Sequence, residues 1–168
     1  MDTIALYLSK LSVIETNTIL KCAIYYQNLD IFISLIPYIE NFDIRIDNDI
    51  FLYVAVHSNN IESVTYFMDR GLDITAVNNY IIKHMELSNE ILELLVSYGI
   101  DINIDNGALL INAVNNGSIK CIELLINHGA DYSLQNYEAV KLSLLREKEF
   151  ILFFINLGFD ININMINC

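Results

Sequence analysis

The chain repeats a short segment in which a glycine is followed two residues later by an aspartate. The segments are MDRGLDI at 68–74, VSYGIDI at 96–102, INHGADY at 126–132 and INLGFDI at 155–161. Their aspartates lie 28, 30 and 29 residues apart. A period of about 30 residues is typical of helical repeat proteins, because a single helix pair needs neighbours on both sides to bury its apolar stripe. The sequence therefore predicts a stack of helix pairs.

The clearest copy is the segment 107–134, GALLINAVNNGSIKCIELLINHGADYSL. Apolar residues recur at three- and four-residue spacing in each half, which predicts two amphipathic helices. The stretch 115–118, Asn-Asn-Gly-Ser, predicts a break between them, because Asn-Gly tolerates positive φ and a serine can cap the next helix. Gly129 is expected to end the second helix in a left-handed conformation.

Alignment on this copy divides the chain into a cap and five repeats within a single domain, 1–168. The cap covers 1–16, and the repeats cover approximately 17–46, 47–76, 77–104, 105–134 and 135–163. Pro37 is expected to kink the second helix of the first pair or to end it early, since proline removes a backbone donor. The helices are expected at 18–27, 30–40, 49–58, 61–70, 80–86, 89–98, 137–145 and 147–157, besides the two in the clearest copy.

The segment 113–131 resembles the ankyrin repeat, since a helix that closes on a small residue leads through a glycine turn into Ile-Glu-Leu-Leu and then Gly-Ala-Asp. The Asn- and Ile-rich copies are also similar to ankyrin proteins of giant DNA viruses that infect amoebae. The family's Thr-Pro-Leu-His opening is missing from every copy, and the usual period of about 33 residues is shortened. The resemblance implies an all-α, ankyrin-like alpha solenoid that binds proteins.

The charge balance restricts the partner. Lys and Arg number 9 against 21 Asp and Glu, a formal net charge of −12. Nucleic acids and anionic membrane surfaces are disfavoured, because both need clustered Lys and Arg. We therefore expect a protein partner, with a basic patch as the electrostatic complement.

The amino terminus and the cysteines indicate the compartment. The stretch MDTIALYLSKL has neither the basic region nor the cleavage site of a secretory signal, and no run of 18 apolar residues occurs. Cys22, Cys121 and Cys168 form an odd set without Cys-x-x-Cys spacing, and the first two are expected at apolar helix positions as reduced thiols. An intracellular, cytoplasmic protein is expected, in the host cytoplasm if the protein is viral.

Sites for chemistry are not indicated. The histidines at 57, 84 and 128 fall in different repeats without ligands at metal-binding spacing. The stretch 101–112 superficially suggests a calcium loop, but Asn106 and Asn112 stand where such a loop needs Gly and Glu. Its aspartates are expected instead to accept bonds from loop amides. We expect no enzyme activity, no cofactor and no metal site.

What remains is a surface. In ankyrin-like stacks the concave face is lined by the ends of the first helices and by the inter-repeat loops, and exposed Tyr and Asn are favoured at interfaces. The resemblance places on this face the helix residues Tyr25, Tyr26, Gln27, His57, Ser58, Lys83, His84, Asn115 and Asn116, and the loop residues Arg45, Asp47, Asn48, Asp49, Thr75, Asn78, Asn79, Asp105 and Asn106. Tyr25, Tyr26 and His57 are expected to cluster there beside Asp47 and Asp49.

Three functions stay open at this stage. The first is a non-catalytic, monomeric module that binds a host or viral protein through the concave face. The second is a structural or assembly subunit that self-associates through its terminal repeat, whose helix FILFFINLGF is unusually apolar. The third, an enzyme of unrecognised type, has no motif in its favour.

Overall fold

A computed structural model describes residues 3–8, 10–72 and 87–159. This described part contains ten α-helices, one 3-10 turn and no strand, so the predicted all-α class is confirmed. The chain divides into two compact units, 1–81 and 82–168, and each is taken by itself below. That the whole chain acts as a single domain stays a prediction.

The first unit contains two successive helix pairs preceded by a short helix. Its elements are α1 (Thr3–Leu8), α2 (Val13–Tyr25), α3 (Leu29–Leu35), the 3-10 turn Ile36–Tyr38, α4 (Ile46–His57) and α5 (Ile61–Asp69). Helix α2 packs on α3, α4 packs on α5, and the first helices α2 and α4 pack on each other. The pairs are therefore stacked as a repeat architecture requires.

The amino-terminal end of α2 differs from the prediction. The helix begins at Val13 rather than at residue 18, because Ser12 and Glu15 form a capping box. The Ser12 amide donates to Glu15 Oε2 at 2.8 Å, and the Glu15 amide donates to Ser12 Oγ at 3.3 Å. Helix α3 ends at Leu35, just before the turn that contains Pro37, so the predicted early end is confirmed.

Phe32 lies at the centre of the first unit's core. It is fully buried, and its ring centroid lies 5.2 Å from that of Phe51, 5.4 Å from Phe67, 6.0 Å from Phe42 and 6.2 Å from Tyr66. These rings come from α4, α5 and the loop before α4. One aromatic side chain of α3 therefore joins the two repeats of the unit.

The second unit repeats the arrangement. Its helices are α6 (Asn89–Ser97), α7 (Ile104–Asn116), α8 (Ile119–Asn127), α9 (Leu134–Ser143) and α10 (Lys148–Asn156). Helix α7 packs on α8 and α9 packs on α10, while α7 also packs on α9 and α6 on α8. The helix expected at 80–86 lies outside the described residues.

The predicted serine and glycine caps of this unit are confirmed, whereas α9 spans Leu134–Ser143 instead of the predicted 137–145. Ser88 Oγ accepts from the Ile91 amide at 3.1 Å, and Ser118 Oγ accepts from the Cys121 amide at 3.3 Å. Gly117 ends α7 with φ of 72°, and Gly129 follows α8 with φ of 92°. Both glycines adopt the left-handed conformation that side chains with a Cβ disfavour.

In each helix pair that follows a described loop, the first helix begins with residues in the left-handed conformation. They are Asp47 and Asp49 in α4, Asp105, Asn106 and Gly107 in α7, and Gln135 and Tyr137 in α9, with φ between 50° and 86°. Asp, Asn and Gly are the residues that enter this region most readily. The backbone is therefore not regularly helical over these residues, and the third position is buried at Asp49 and Gly107 and half-buried at Tyr137.

We predict that Gly107→Ala destabilises the second unit more than Gly99→Ala does. Both glycines have positive φ, so an added Cβ costs about 1–2 kcal/mol at either position. At Gly107 the new carbon would also lie 3.2 Å from Leu134 Cδ1 and 3.3 Å from Leu134 Cβ, whereas at Gly99 it meets nothing within 4 Å. Urea unfolding midpoints measure the difference; equal losses would contradict the crowding at Leu134.

Candidate functional site

An exposed aromatic cluster lies at the carboxyl-terminal ends of α2 and α4. Tyr25 and Tyr26 are 50% and 76% exposed, and their ring centroids are 5.3 Å apart in an edge-to-face arrangement. The Tyr25 ring lies 6.4 Å from that of His57, which is stacked on Tyr53 at 5.9 Å. The predicted proximity of Tyr25, Tyr26 and His57 is thus observed, and these three residues with Tyr53 are called the aromatic cluster below.

Tyr53 is the member that the sequence reasoning missed. It lies four residues before His57 on α4, so the two side chains project from the same face of the helix. That spacing could have identified it, but Tyr53 was assigned to the apolar stripe. Its side chain is half-buried, and its ring stacks on that of His57.

Polar bonds tie the two helix ends together beneath the cluster. Gln27 Nε2 donates to the Ser58 carbonyl at 3.1 Å, and Asn60 Nδ2 donates to the Ile24 carbonyl at 3.0 Å in a buried position. Ser58 itself is half-buried, and its hydroxyl donates to the Val54 carbonyl at 2.9 Å. Gln27 and Ser58 therefore fix the geometry of the site, although both were predicted as partner contacts.

The predicted acidic neighbours of the cluster do not lie beside it. Asp47 is exposed, but it stands at the amino-terminal end of α4, whereas His57 is the last residue of this helix. Asp49 is 3% exposed, so its predicted role as a surface contact is wrong. The left-handed start of α4 turns this position inward, as it does at the equivalent, buried Gly107.

Arg45 and its counterpart Asn103 tie each loop to the end of a later repeat. The Arg45 guanidinium donates from Nη2 to the carbonyl of Gly71. In the second unit, Asn103 Nδ2 donates to the Gly129 carbonyl at 3.1 Å, and its Oδ1 accepts from the Asp131 amide at 2.8 Å. Arg45 is exposed, but this bond gives it a structural task.

In the second unit, Asn115 and Asn116 are exposed at the end of α7. Asn116 Nδ2 donates to Asn112 Oδ1 at 2.9 Å, and Arg146 Nε donates to the Val114 carbonyl at 3.1 Å. In the loop before α7, Asp105 is half-buried and Asn106 is exposed. Other predicted positions lie outside the described residues or side chains: Asn48, Thr75, Asn78, Asn79, Lys83 and His84.

A small pocket opens in the second unit beside Asn112, Asn116, Ser118 and Cys121. Its volume of about 10 Å³ accommodates roughly one water molecule. Cys121 is buried as predicted, and its thiol donates to the Leu87 carbonyl at 3.6 Å, whereas Cys22 is exposed. The prediction of an apolar setting for Cys22 is therefore wrong, because its side of α2 faces solvent.

Two of the recurring loop aspartates, Asp101 and Asp131, lie within the described residues, and both have the structural role that was predicted. Asp101 Oδ1 accepts from the Asn103 amide at 2.9 Å, and Asp131 Oδ1 accepts from the Ser133 amide at 2.8 Å and its hydroxyl at 2.6 Å. The described residues include no group of three His, Cys, Asp or Glu that could hold a metal ion. His128 Nδ1 lies 2.8 Å from the Leu124 carbonyl, so this side chain contacts the end of its own helix.

We predict that acid weakens the second unit partly through Asp131. The hydroxyl and amide of Ser133 donate to its carboxylate, which lowers the pKa of Asp131 in the folded chain. A lowered pKa stabilises the folded state at neutral pH, and this contribution is lost as the pH falls below about 4. Melting temperatures at pH 6 and pH 3 should differ less for Asp131→Asn than for wild type. An unchanged difference would argue against this role.

None of the described helices combines the length and apolar character needed to cross a bilayer. The comparison with protein families matches residues 108–137 to the ankyrin repeat. This match and the relatives below confirm the predicted resemblance.

Relatives come from Acanthamoeba polyphaga mimivirus and are ankyrin repeat proteins. One is 35% identical over 78 residues, which cover 42% of this chain and 26% of the relative. A second is 26% identical over 127 residues, covering 67% of this chain and 35% of the relative. A third is 28% identical over 181 residues, covering 70% and 59%. The chain thus spans less than two thirds of these relatives, and no solved structure matches it.

Proposed function

We propose that this chain, whose residues 108–137 match the ankyrin repeat, is a non-catalytic module that binds a protein partner. Ankyrin repeats generally mediate protein-protein interaction. The mimivirus relatives support a viral protein that acts in the host cytoplasm on a host or viral partner. The surface used is the aromatic cluster of the first unit.

The aromatic cluster is the observation that carries this proposal. Tyr25 and Tyr26 leave half or more of their surface in solvent, so both rings are available to a partner. The bonds from Gln27 and Asn60 hold the helix ends beneath them, so little side-chain and backbone order has to be gained on binding. Rigid tyrosines of this kind supply contact area at low entropy cost.

Quantitative affinity capture from lysates of infected and uninfected Acanthamoeba tests the proposal. The immobilised chain is compared with Tyr26→Ala and with Tyr7→Ala, which removes an exposed tyrosine from α1 instead. We expect specific proteins to be retained by wild type and Tyr7→Ala and depleted by at least fivefold in Tyr26→Ala. Equal capture by all three folded chains would contradict the surface.

Binding kinetics with the captured partner separate two contributions. Tyr26→Ala should mainly raise the dissociation rate, because it removes a desolvated contact. Asp47→Lys should mainly lower the association rate and its salt dependence, because Asp47 is exposed and acts from a distance. Glu123→Lys on α8 serves as the charge-matched control, and a comparable effect from it would remove the specific role of Asp47.

A second candidate function has its own observation. Leu144, Leu145, Leu152, Ile155 and Leu157 of the last pair are each between 37% and 82% exposed. Exposed apolar side chains of this number favour association, and a structural subunit that self-associates through the terminal repeat would bury them. Light scattering over a range of concentrations distinguishes the two functions: a concentration-dependent mass that Leu145→Lys abolishes supports assembly, and a constant monomer mass supports the binding module.

A further inference from the structure

The chemistry around the aromatic cluster is suited to a cation. Tyrosine rings attract cations at their faces through the ring quadrupole. The cluster also stands at the carboxyl-terminal ends of α2 and α4, where the helix dipole places partial negative charge. A net charge of −12 adds an attractive background for any basic segment.

Elsewhere in the chain, one arginine lies on a tyrosine ring and another binds the carboxyl-terminal end of a helix. Arg70 lies over the ring of Tyr66, with its Cζ 3.5 Å from the ring centroid. Arg146 donates to the Val114 carbonyl at the end of α7, the helix that corresponds to α2 and α4 in the second unit. Tyrosine faces and first-helix ends are therefore both compatible with a guanidinium in this fold.

The arginines of the first unit are engaged elsewhere. Arg45 binds the Gly71 carbonyl, and Arg70 is held on Tyr66 and donates to its carbonyl at 3.2 Å. Tyr25 and Tyr26 thus offer exposed tyrosine rings next to the carboxyl-terminal end of a helix. Neither of these two arginines binds there. This juxtaposition is the observation behind the inference.

We propose that the aromatic cluster receives arginine side chains from a basic, extended segment of the partner protein, an inference that rests on the proposed function. The guanidinium plane stacks on the ring of Tyr25 or Tyr26, and its N–H groups point toward the helix carboxyl ends. Arginine fits better than lysine because its planar group is weakly hydrated and stacks on aromatic rings. An acidic or nucleic-acid partner would be repelled by the net charge.

Fluorescence anisotropy with labelled peptides tests the proposal on the full chain. The probe has four arginines spaced by glycines; matched peptides replace arginine by lysine or by citrulline, which has nearly the same shape without the charge. We expect the arginine peptide to bind most tightly and the citrulline peptide most weakly. Tyr25→Ala and Tyr26→Ala should each lower affinity for the arginine peptide about two- to fivefold.

Control variants keep the result interpretable. Tyr26→Phe retains the ring and should bind within about twofold of wild type, and Tyr7→Ala should bind unchanged, each with the wild-type melting temperature. Equal binding of the arginine and citrulline peptides, or of the arginine and lysine peptides, would overturn the inference. So would loss of affinity in Tyr7→Ala as large as in Tyr26→Ala.

The two proposals fail in different ways. If Tyr26→Ala reduces capture of the protein partner while the arginine peptide shows no preference, the binding surface stands and the arginine assignment is wrong. If Tyr26→Ala leaves both partner capture and peptide affinity unchanged, both proposals are wrong.

Discussion

Replacing Leu125 by aspartate is expected to unfold the second unit rather than to disturb it locally. Leu125 is fully buried on α8, the helix that packs on both α6 and α7. An unpaired carboxylate at such a position costs several kcal/mol, which is comparable to a total stability of about 5–15 kcal/mol. We expect the cooperative unfolding transition of this unit to disappear at 25 °C, with loss of helical circular dichroism.

The matched control is Leu124→Asp at the preceding position. Leu124 is half-buried, so its carboxylate can reach water and the variant should stay folded with a lower melting temperature. Of these two neighbouring leucines, burial selects Leu125 as the one that lies between repeats. Equal stability of the two variants would show that α8 is rotated from the orientation described. Leu125→Ala, expected to cost about 2–5 kcal/mol, gives a measurable intermediate.

Truncation of Phe32 to alanine is expected to have the second largest effect, about 3–5 kcal/mol. The side chain is fully buried, and it contacts three aromatic rings from the neighbouring pair and that of Phe42 in the loop before it. Its loss removes contacts between the two repeats of the first unit as well as those within one pair. Since the chain contains ten tyrosines and no tryptophan, urea unfolding followed by tyrosine fluorescence reports the change.

Ile33→Ala provides the comparison for Phe32. Ile33 is the next residue on α3 but is 40% exposed, so its truncation should cost less than about 1 kcal/mol. A similar loss for both variants would mean that helix propensity in α3, and not the aromatic contact between repeats, determines the stability of the first unit.

Much of the fold could be predicted because the signals are local. The apolar spacing of Leu109 to Val114 and of Ile122 to Ile126 is sufficient to define two amphipathic helices. Ser88, Ser118 and Gly117 act on backbone groups only a few residues away, so their capping roles follow from chain chemistry alone. The recurring Gly-x-Asp spacing likewise gives the repeat period from the sequence alone.

The start of α2 shows where local reasoning was incomplete rather than impossible. Ser12 and Glu15 have the spacing of a capping box, and this signal would have moved the helix start to Val13. It was overlooked because the stretch had been assigned to an amino-terminal cap. Cys22 was likewise assigned to an apolar position although it faces solvent.

The surface required the tertiary structure. The sequence by itself determined the helix pairs, the caps at Ser88, Ser118 and Gly117, and the exposed helix positions Tyr25, Tyr26 and His57. Only the packing of α2 on α4 decided that these rings meet and that Tyr53 joins them. Only the left-handed turn decided that Asp49 is buried while Asp47 stays exposed at the opposite end of α4 from His57. Spacing specifies neighbours along one helix, whereas a surface is made of residues on different helices, whose distances depend on how those helices pack.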